Sequence, residues 1–419
     1  MKRFIYPLVL LFLLFNNCGK RLDKIPNDFI GDFYDKSGIE YWSYGLHSSF
    51  LISDCQFWDY EKIKSNKNTL SLWLKNKDST KRIDIVKTDS LNFDFIENDK
   101  TIHCSKKTDS IKRIAKNNPF SMDTGTVVIR GYIKNAEKYV KTDSKIQFIF
   151  SNEVISDTKS EYADIDSLGR FDINMNVLHA ASFLVKYRNN LKQLFVSPGD
   201  QLFISTNADS YNVFDFMGPH SDVCYDIRKI EEARYAVEDP IQRNSSYAKN
   251  PSEFKNYRNS IKQKQDEILQ NYLNNNSCSE AFRTWCTKAI QYNYYIELLR
   301  YSWNRFGPGS DKPMSYQEPY YSFIDSINMN DSLASICYEY FFFANGLYNK
   351  LNYRDSIFIS SNKKKFLRNE KRKELTNEFP QYSADEINNE LLKFSLNREI
   401  DIILSHTYSN TPLRVVLNN

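Results

Sequence analysis

The chain has 419 residues, of which 41% are hydrophobic and 15% aromatic; 56 Lys and Arg stand against 52 Asp and Glu, a formal net charge of +4. That length and apolar content provide for two or three packed domains. The near-neutral balance excludes nucleic acid as a partner, because the basic runs at Lys363-Lys364-Lys365 and from Arg368 to Lys373 are broken by Asn and Glu and read as a solvated helix face.

The chain opens Met1-Lys2-Arg3, continues with an apolar run from Phe4 to Phe15, and reaches Asn16-Asn17-Cys18-Gly19. A basic start and about a dozen apolar residues describe a secretory signal peptide over residues 1–17. The run is shorter than the ~20 residues a membrane-spanning helix needs. A cysteine at its end points to acylation of Cys18, which would make the mature protein a lipoprotein with a linker over residues 18–27. Phe15-Asn16-Asn17 departs from the branched-aliphatic and small residues usual before a lipidated cysteine, and an ordinary cleaved signal is the alternative.

Residues 28–120 read as an aromatic-rich β domain. Gly31-Asp32-Phe33-Tyr34, Tyr41 to Gly45, Gln56 to Tyr60, Thr69 to Leu74 and Arg82 to Val86 have strand length and β-rich composition. Asn66-Lys67-Asn68, Asn76-Lys77-Asp78 and Asn98-Asp99-Lys100 mark turns, and the short, regular spacing suggests a small sandwich or barrel. A second β domain is expected over residues 121–218. Its strands cover Thr126–Ile133, Lys145–Phe150 and Ser182–Tyr187, and Asp166 to Phe171 forms a turn feeding another. Gln193–Val196 and Gln201–Thr206 flank Ser197-Pro198-Gly199-Asp200, which predicts a hairpin with a tight turn.

Residues 219–419 read as helical. Asn250-Pro251-Ser252-Glu253 offers an N-cap, a first-turn proline and an acid at the positive end of the dipole. Ser277 with Glu280 is expected to cap the next helix, whose Phe282, Trp285, Ala289, Tyr292, Ile296, Leu299 and Trp303 form one apolar stripe ending before Gly307-Pro308-Gly309. Further helices are expected from about Ser332 to Asn349 and, behind Ser383 and Glu386, from Ala384 to Leu404. The fold class is thus α+β and multidomain, two small antiparallel β domains followed by a helical one.

Six cysteines besides Cys18 remain: Cys55, Cys104, Cys224, Cys278, Cys286 and Cys337. No Cys-x-x-Cys pair occurs, and most read as buried thiols acting as small hydrophobes. A Cys55–Cys104 bridge is one arrangement an oxidising compartment would allow. His47, His103, His179, His220 and His406 have no metal-ligand spacing. Asp54, Asp59 and Glu61 beside Trp58 have the composition of a glycosidase carboxylate pair, but strand alternation would expose the acids and bury the aromatics. No catalytic residue, cofactor site or metal site follows from these patterns.

The order of Trp42-Ser43-Tyr44-Gly45-Leu46, Phe57 to Tyr60, Gly131-Tyr132-Ile133, Asp166 to Phe171, Val196 to Asp200 and Phe216-Met217-Gly218 resembles the region before the thioredoxin domain in Bacteroidetes TlpA-like lipoproteins. Gly19-Lys20-Arg21-Leu22-Asp23 lacks the acidic run that follows the lipidated cysteine in surface-exported lipoproteins of that group, so an envelope protein on the outer membrane facing the periplasm is expected. Two departures qualify the resemblance: Cys224 stands near where the family tends to have asparagine, and the Cys-x-x-Cys thioredoxin domain is not found before Asn419. What the resemblance implies is therefore a non-enzymatic accessory or binding lipoprotein, with the membrane, an envelope protein or a separately encoded thioredoxin-like protein as partner. The alternative is a truncated or split thiol–disulfide oxidoreductase.

Overall fold

The computed structural model describes residues 24–39, 41–109, 111–152, 157–210, 214–306, 319–328, 331–347 and 376–377. Cys18 and the signal, Gly307-Pro308-Gly309, and the helix expected behind Ser383 lie outside them. The chain forms two compact units, residues 1–114 with 215–218, and residues 115–214 with 219–419. The protein is α+β.

The first unit is a closed antiparallel barrel of eight strands in chain order. These are β1 (Gly31–Asp35), β2 (Trp42–Leu46), β3 (Phe50–Ser53), β4 (Gln56–Ser65), β5 (Thr69–Lys75), β6 (Thr80–Lys87), β7 (Asn92–Glu97) and β8 (Lys100–Ser105). Closure comes from β1 pairing with β8, Tyr34 opposite Ser105 and Asp35 opposite Cys104. Two-residue turns at Asp54-Cys55 and Asn98-Asp99 hold all four residues at φ between 48° and 62°. That is the left-handed turn whose twist matches that of the flanking strands. Alternation then sends every second side chain inward, as in β5, where Leu70, Leu72 and Leu74 are buried and Ser71 and Trp73 face out. An eight-stranded barrel has an interior just wide enough for side chains to fill. Here Phe33, Tyr44, Leu72, Ile85, Phe93 and Phe95 fill it, with Tyr44 stacked on Phe95 at 4.0 Å between centroids. Ile25 and Phe29, which precede β1, are buried in the same core.

The second unit begins with two sheets. One orders β11 (Asp157–Asp164), β10 (Lys145–Asn152), β13 (Ala181–Tyr187) and β14 (Asn190–Val196); the other orders β12 (Arg170–Val177), β9 (Gly125–Lys134) and β15 (Gln201–Asn207). Phe148 of β10 meets Phe171 of β12 across the two sheets, centroids 6.1 Å apart. The turn at Ser197-Pro198-Gly199-Asp200 forms, with Gly199 at φ 90° and the Asp200 amide donating to the Ser197 carbonyl at 3.0 Å. It does not make the expected hairpin. It is a corner that carries the chain out of one sheet, at β14, into the other, where β15 runs parallel to β9. Local turn chemistry is the same for both outcomes; pairing was decided by where each strand's apolar face is buried.

The α-helices α1 (Ser221–Tyr235), α2 (Pro240–Ser246), α3 (Pro251–Asn275) and α4 (Glu280–Phe306) follow. Asn250 and Glu253 cap α3 reciprocally, the Asn250 side chain accepting from the Glu253 amide at 2.9 Å and Glu253 from the Asn250 amide at 3.3 Å. The α4 cap is Ser279 rather than Ser277: the Ser279 carbonyl accepts from the Arg283 amide and its Oγ from Phe282 at 3.4 Å. Ser277 instead accepts from the Ala115 amide at 3.2 Å. Phe282, Trp285, Ala289, Tyr292, Ile296 and Leu299 of the stripe are buried. The helix expected from Ser332 is a 3-10 turn (Ser332–Ile336), then Cys337 in extended conformation, then a helix over 338–347.

Candidate functional site

The six cysteines are the groups with the most reactive potential; none of them is in a disulfide, and all six are buried. The Cys55–Cys104 bridge does not form: Cys55 occupies the β3–β4 turn, while Cys104 points into the barrel core from β8. Cys278 lies before α4 rather than within it, and Cys286 is inside that helix at 0% exposure. Burial drives the thiol pKa upward at Cys104, Cys224 and Cys337. Burial also pushes Cys286 up to about 12, against the lowering influence of Arg234. A thiolate is the nucleophile in disulfide exchange, so burial and raised pKa act against reactivity at each of these four.

Sequence reasoning missed the polar corner where the β14–β15 turn meets the start of α1. Nδ1 of His220 lies 2.8 and 3.0 Å from the two carboxylate oxygens of Asp200. Oδ2 of Asp200 also accepts from the Ser197 amide at 2.7 Å, and Ser197 Oγ accepts from the Ser121 amide at 2.8 Å. His220 and Asp200 are both buried. Burial alone would lower the imidazole pKa; hydrogen bonding and charge from Asp200 outweigh it, and the His220 pKa stands above its ordinary value. A signal was present in the sequence: an aspartate closing a turn and a histidine just before a helix. Their 20-residue separation hid the pairing.

Cys224 sits one turn into α1 beside this pair, and Cys-His-Asp is a composition used in nucleophilic catalysis. The geometry is not that of an activated thiol. Sγ of Cys224 donates to the Phe195 carbonyl and accepts from the Phe195 amide, both at 3.4 Å. Asp222, Asp200 and Asp226 raise its pKa further, where activation needs positive charge. The Asp200–His220 corner is thus a latch between a sheet corner and a helix start.

A second buried group gathers around α1. Arg234 is 2% exposed, with Nη2 4.0 Å from Glu339 and its guanidinium 5.8 Å from the Trp285 ring centroid. Burial, with the Glu339 charge, pushes Glu231 up to about 7. Nearby, Glu297 is fully buried between Arg243, Tyr247 and Arg300, with the Tyr247 hydroxyl donating to it at 2.6 Å.

The acids around Trp58 are not a carboxylate pair. Trp58 is buried and donates Nε1 to the Ser53 carbonyl at 3.3 Å, while Asp59 and Glu61 are exposed. Asp54 in the turn pairs with Lys81 at 2.5 Å, and Glu61 with Lys75 at 3.8 Å. His103 sits 2.7 Å from Asp94 on the exposed barrel surface, His179 contacts the Ala180 carbonyl, His47 packs on Phe50, and His406 lies outside the described residues. Among the described residues no three His, Cys, Asp or Glu side chains converge as a metal site, and no helix is long and apolar enough to cross a membrane.

No protein-family model matches the chain, nor does any curated protein or solved structure.

Proposed function

We propose that the chain is a non-catalytic lipoprotein of the bacterial envelope, anchored through an acylated Cys18 on the outer membrane and facing the periplasm. It serves there as an accessory or binding protein related to the region before the thioredoxin domain of TlpA-like lipoproteins. In this reading the chain is multidomain, and its partners are the membrane and an envelope protein or separately encoded thioredoxin-like protein. The export signal and Cys18 support the location, and the order of short motifs supports the relationship.

The observation that carries the non-catalytic reading is the burial of every cysteine beyond Cys18. Thiol–disulfide exchange needs an accessible, partly ionised thiol and a second thiol to release the mixed disulfide. Thiol titration of residues 19–419 tests this. The native protein is expected to react with none of its six thiols on the timescale of mixing, and with all six in denaturant. A thiol that reacts at once in the native state would return the chain to the truncated or split oxidoreductase reading.

A further inference from the structure

The outer face of the barrel across β4, β5 and β6 carries an arrangement the proposed function does not use. A bulge at Glu61 shifts the β4 register between Tyr60 and Lys62, so that Tyr60 opposes Leu74 and Lys62 opposes Trp73. Across β5, Trp73 opposes Arg82 of β6. Lys62, Trp73 and Arg82 therefore form one row on the barrel exterior, with Lys64 the next outward residue along β4. Lys62 Nζ, Lys64 Nζ and the Arg82 guanidinium lie 4.7, 5.7 and 4.9 Å from the Trp73 ring centroid. Trp73 is half-buried, and the three cations are exposed.

Arg82 is balanced by Asp84 at 2.9 Å. Lys62 and Lys64 have no carboxylate within 4 Å among the described residues. Residues 56–87 hold eight Lys and Arg against four Asp and Glu, an excess equal to the net charge of the whole chain. The basic excess continues toward one mouth of the barrel. Lys67 lies in the β4–β5 turn, and Lys87 and Lys106 hold the segment before β1, Lys87 by pairing with Asp28 at 2.5 Å and Lys106 by donating to the Asp28 and Ile30 carbonyls.

We propose that this face docks on the anionic phosphate headgroups of the bilayer. A tryptophan with its ring edge in the interface and lysines beside it is the residue set that sits at headgroup level, and lysines near an anionic surface each add attraction there. The proposal rests on the tether at Cys18: from there to Lys24 the chain extends at most ~20 Å, so the mouth bearing Lys87 and Lys106 stays near the bilayer.

The test is sedimentation of unacylated residues 19–419 with vesicles of phosphatidylcholine, alone or mixed with phosphatidylglycerol. Binding is expected to the mixed vesicles only, and to fall as salt rises. The pair Lys62→Gln and Lys64→Gln should weaken it by roughly tenfold or more, at ~1 kcal/mol for each lysine. Trp73→Ala should weaken it several-fold, while Lys264→Gln, on the exposed side of α3, should leave it unchanged. Equal binding to neutral vesicles, no binding to either, or equal loss in the Lys264 variant would overturn the proposal. Because this protein carries no acyl chain, those outcomes bear on the patch and leave the Cys18 tether to its own experiment.

Discussion

His220 is the residue whose ionisation the structure ties most directly to stability. Its folded pKa lies above its ordinary value because burial, which would lower it, is outweighed by Asp200. The unfolded value is about 6.5, so this contribution is fully present below that pH and is lost as pH rises through the folded pKa. Glu231, raised to about 7 by burial and by Glu339, acts in the same direction from its unfolded value near 4.5 upward. Thermal unfolding followed from pH 5 to pH 8 should therefore show the second unit losing stability as pH rises. Asp200→Asn should flatten the part of that slope above about 6.5. A midpoint that rises over this range, or an unchanged slope in the variant, would contradict the latch. The cysteines were legible at this scale, since wide spacing without Cys-x-x-Cys already indicated buried thiols. The Asp200–His220 pair was not, because only the sheet corner brings it together.

Individual elements reflect their sequences where the signal is local. The Asn250–Glu253 capping box, the Asp166 turn, whose Oδ1 accepts from the Leu168 and Arg170 amides at 2.8 and 2.9 Å, and the Asn98-Asp99 turn follow from neighbouring residues alone. Where a choice depended on distant partners, the sequence reading departed from the structure. Ser277 and Ser279 are both good caps, and packing assigned the role to Ser279. The strand β11, Asp157–Asp164, was missed because its sequence, Asp-Thr-Lys-Ser-Glu-Tyr-Ala-Asp, lacks an apolar run. Gly131 of β9 shows the tightest dependence on partners. A Cβ there would lie 2.2 Å from the Phe171 ring and 2.5 Å from the Ile204 carbonyl of parallel-paired β15. Gly131→Ala should thus destabilise the second unit by about 3 kcal/mol, as overpacking into backbone allows little relief. Asn250→Ala should cost about 1 kcal/mol. Denaturant midpoints for the two variants check both, and equal small shifts would contradict the close approach at Gly131.

For the whole molecule, the α+β class and the β-rich first region were readable from strand length, spacing and turns. The choice between a sandwich and a closed barrel was left open, because closure depends on β1 meeting β8 some 70 residues away. The tether belongs to this scale. Cys18→Ala should move the protein from the membrane to the soluble fraction, and a variant as membrane-associated as the parent would remove the lipid anchor from the account. The central claim is that the molecule binds or positions rather than catalyses, and insulin reduction by residues 19–419 tests it most directly. The account predicts no turnover above background, because Cys104, Cys224, Cys286 and Cys337 are buried with raised pKa values and Cys55 and Cys278 are buried as well. Turnover that vanishes when a single cysteine is replaced would contradict it.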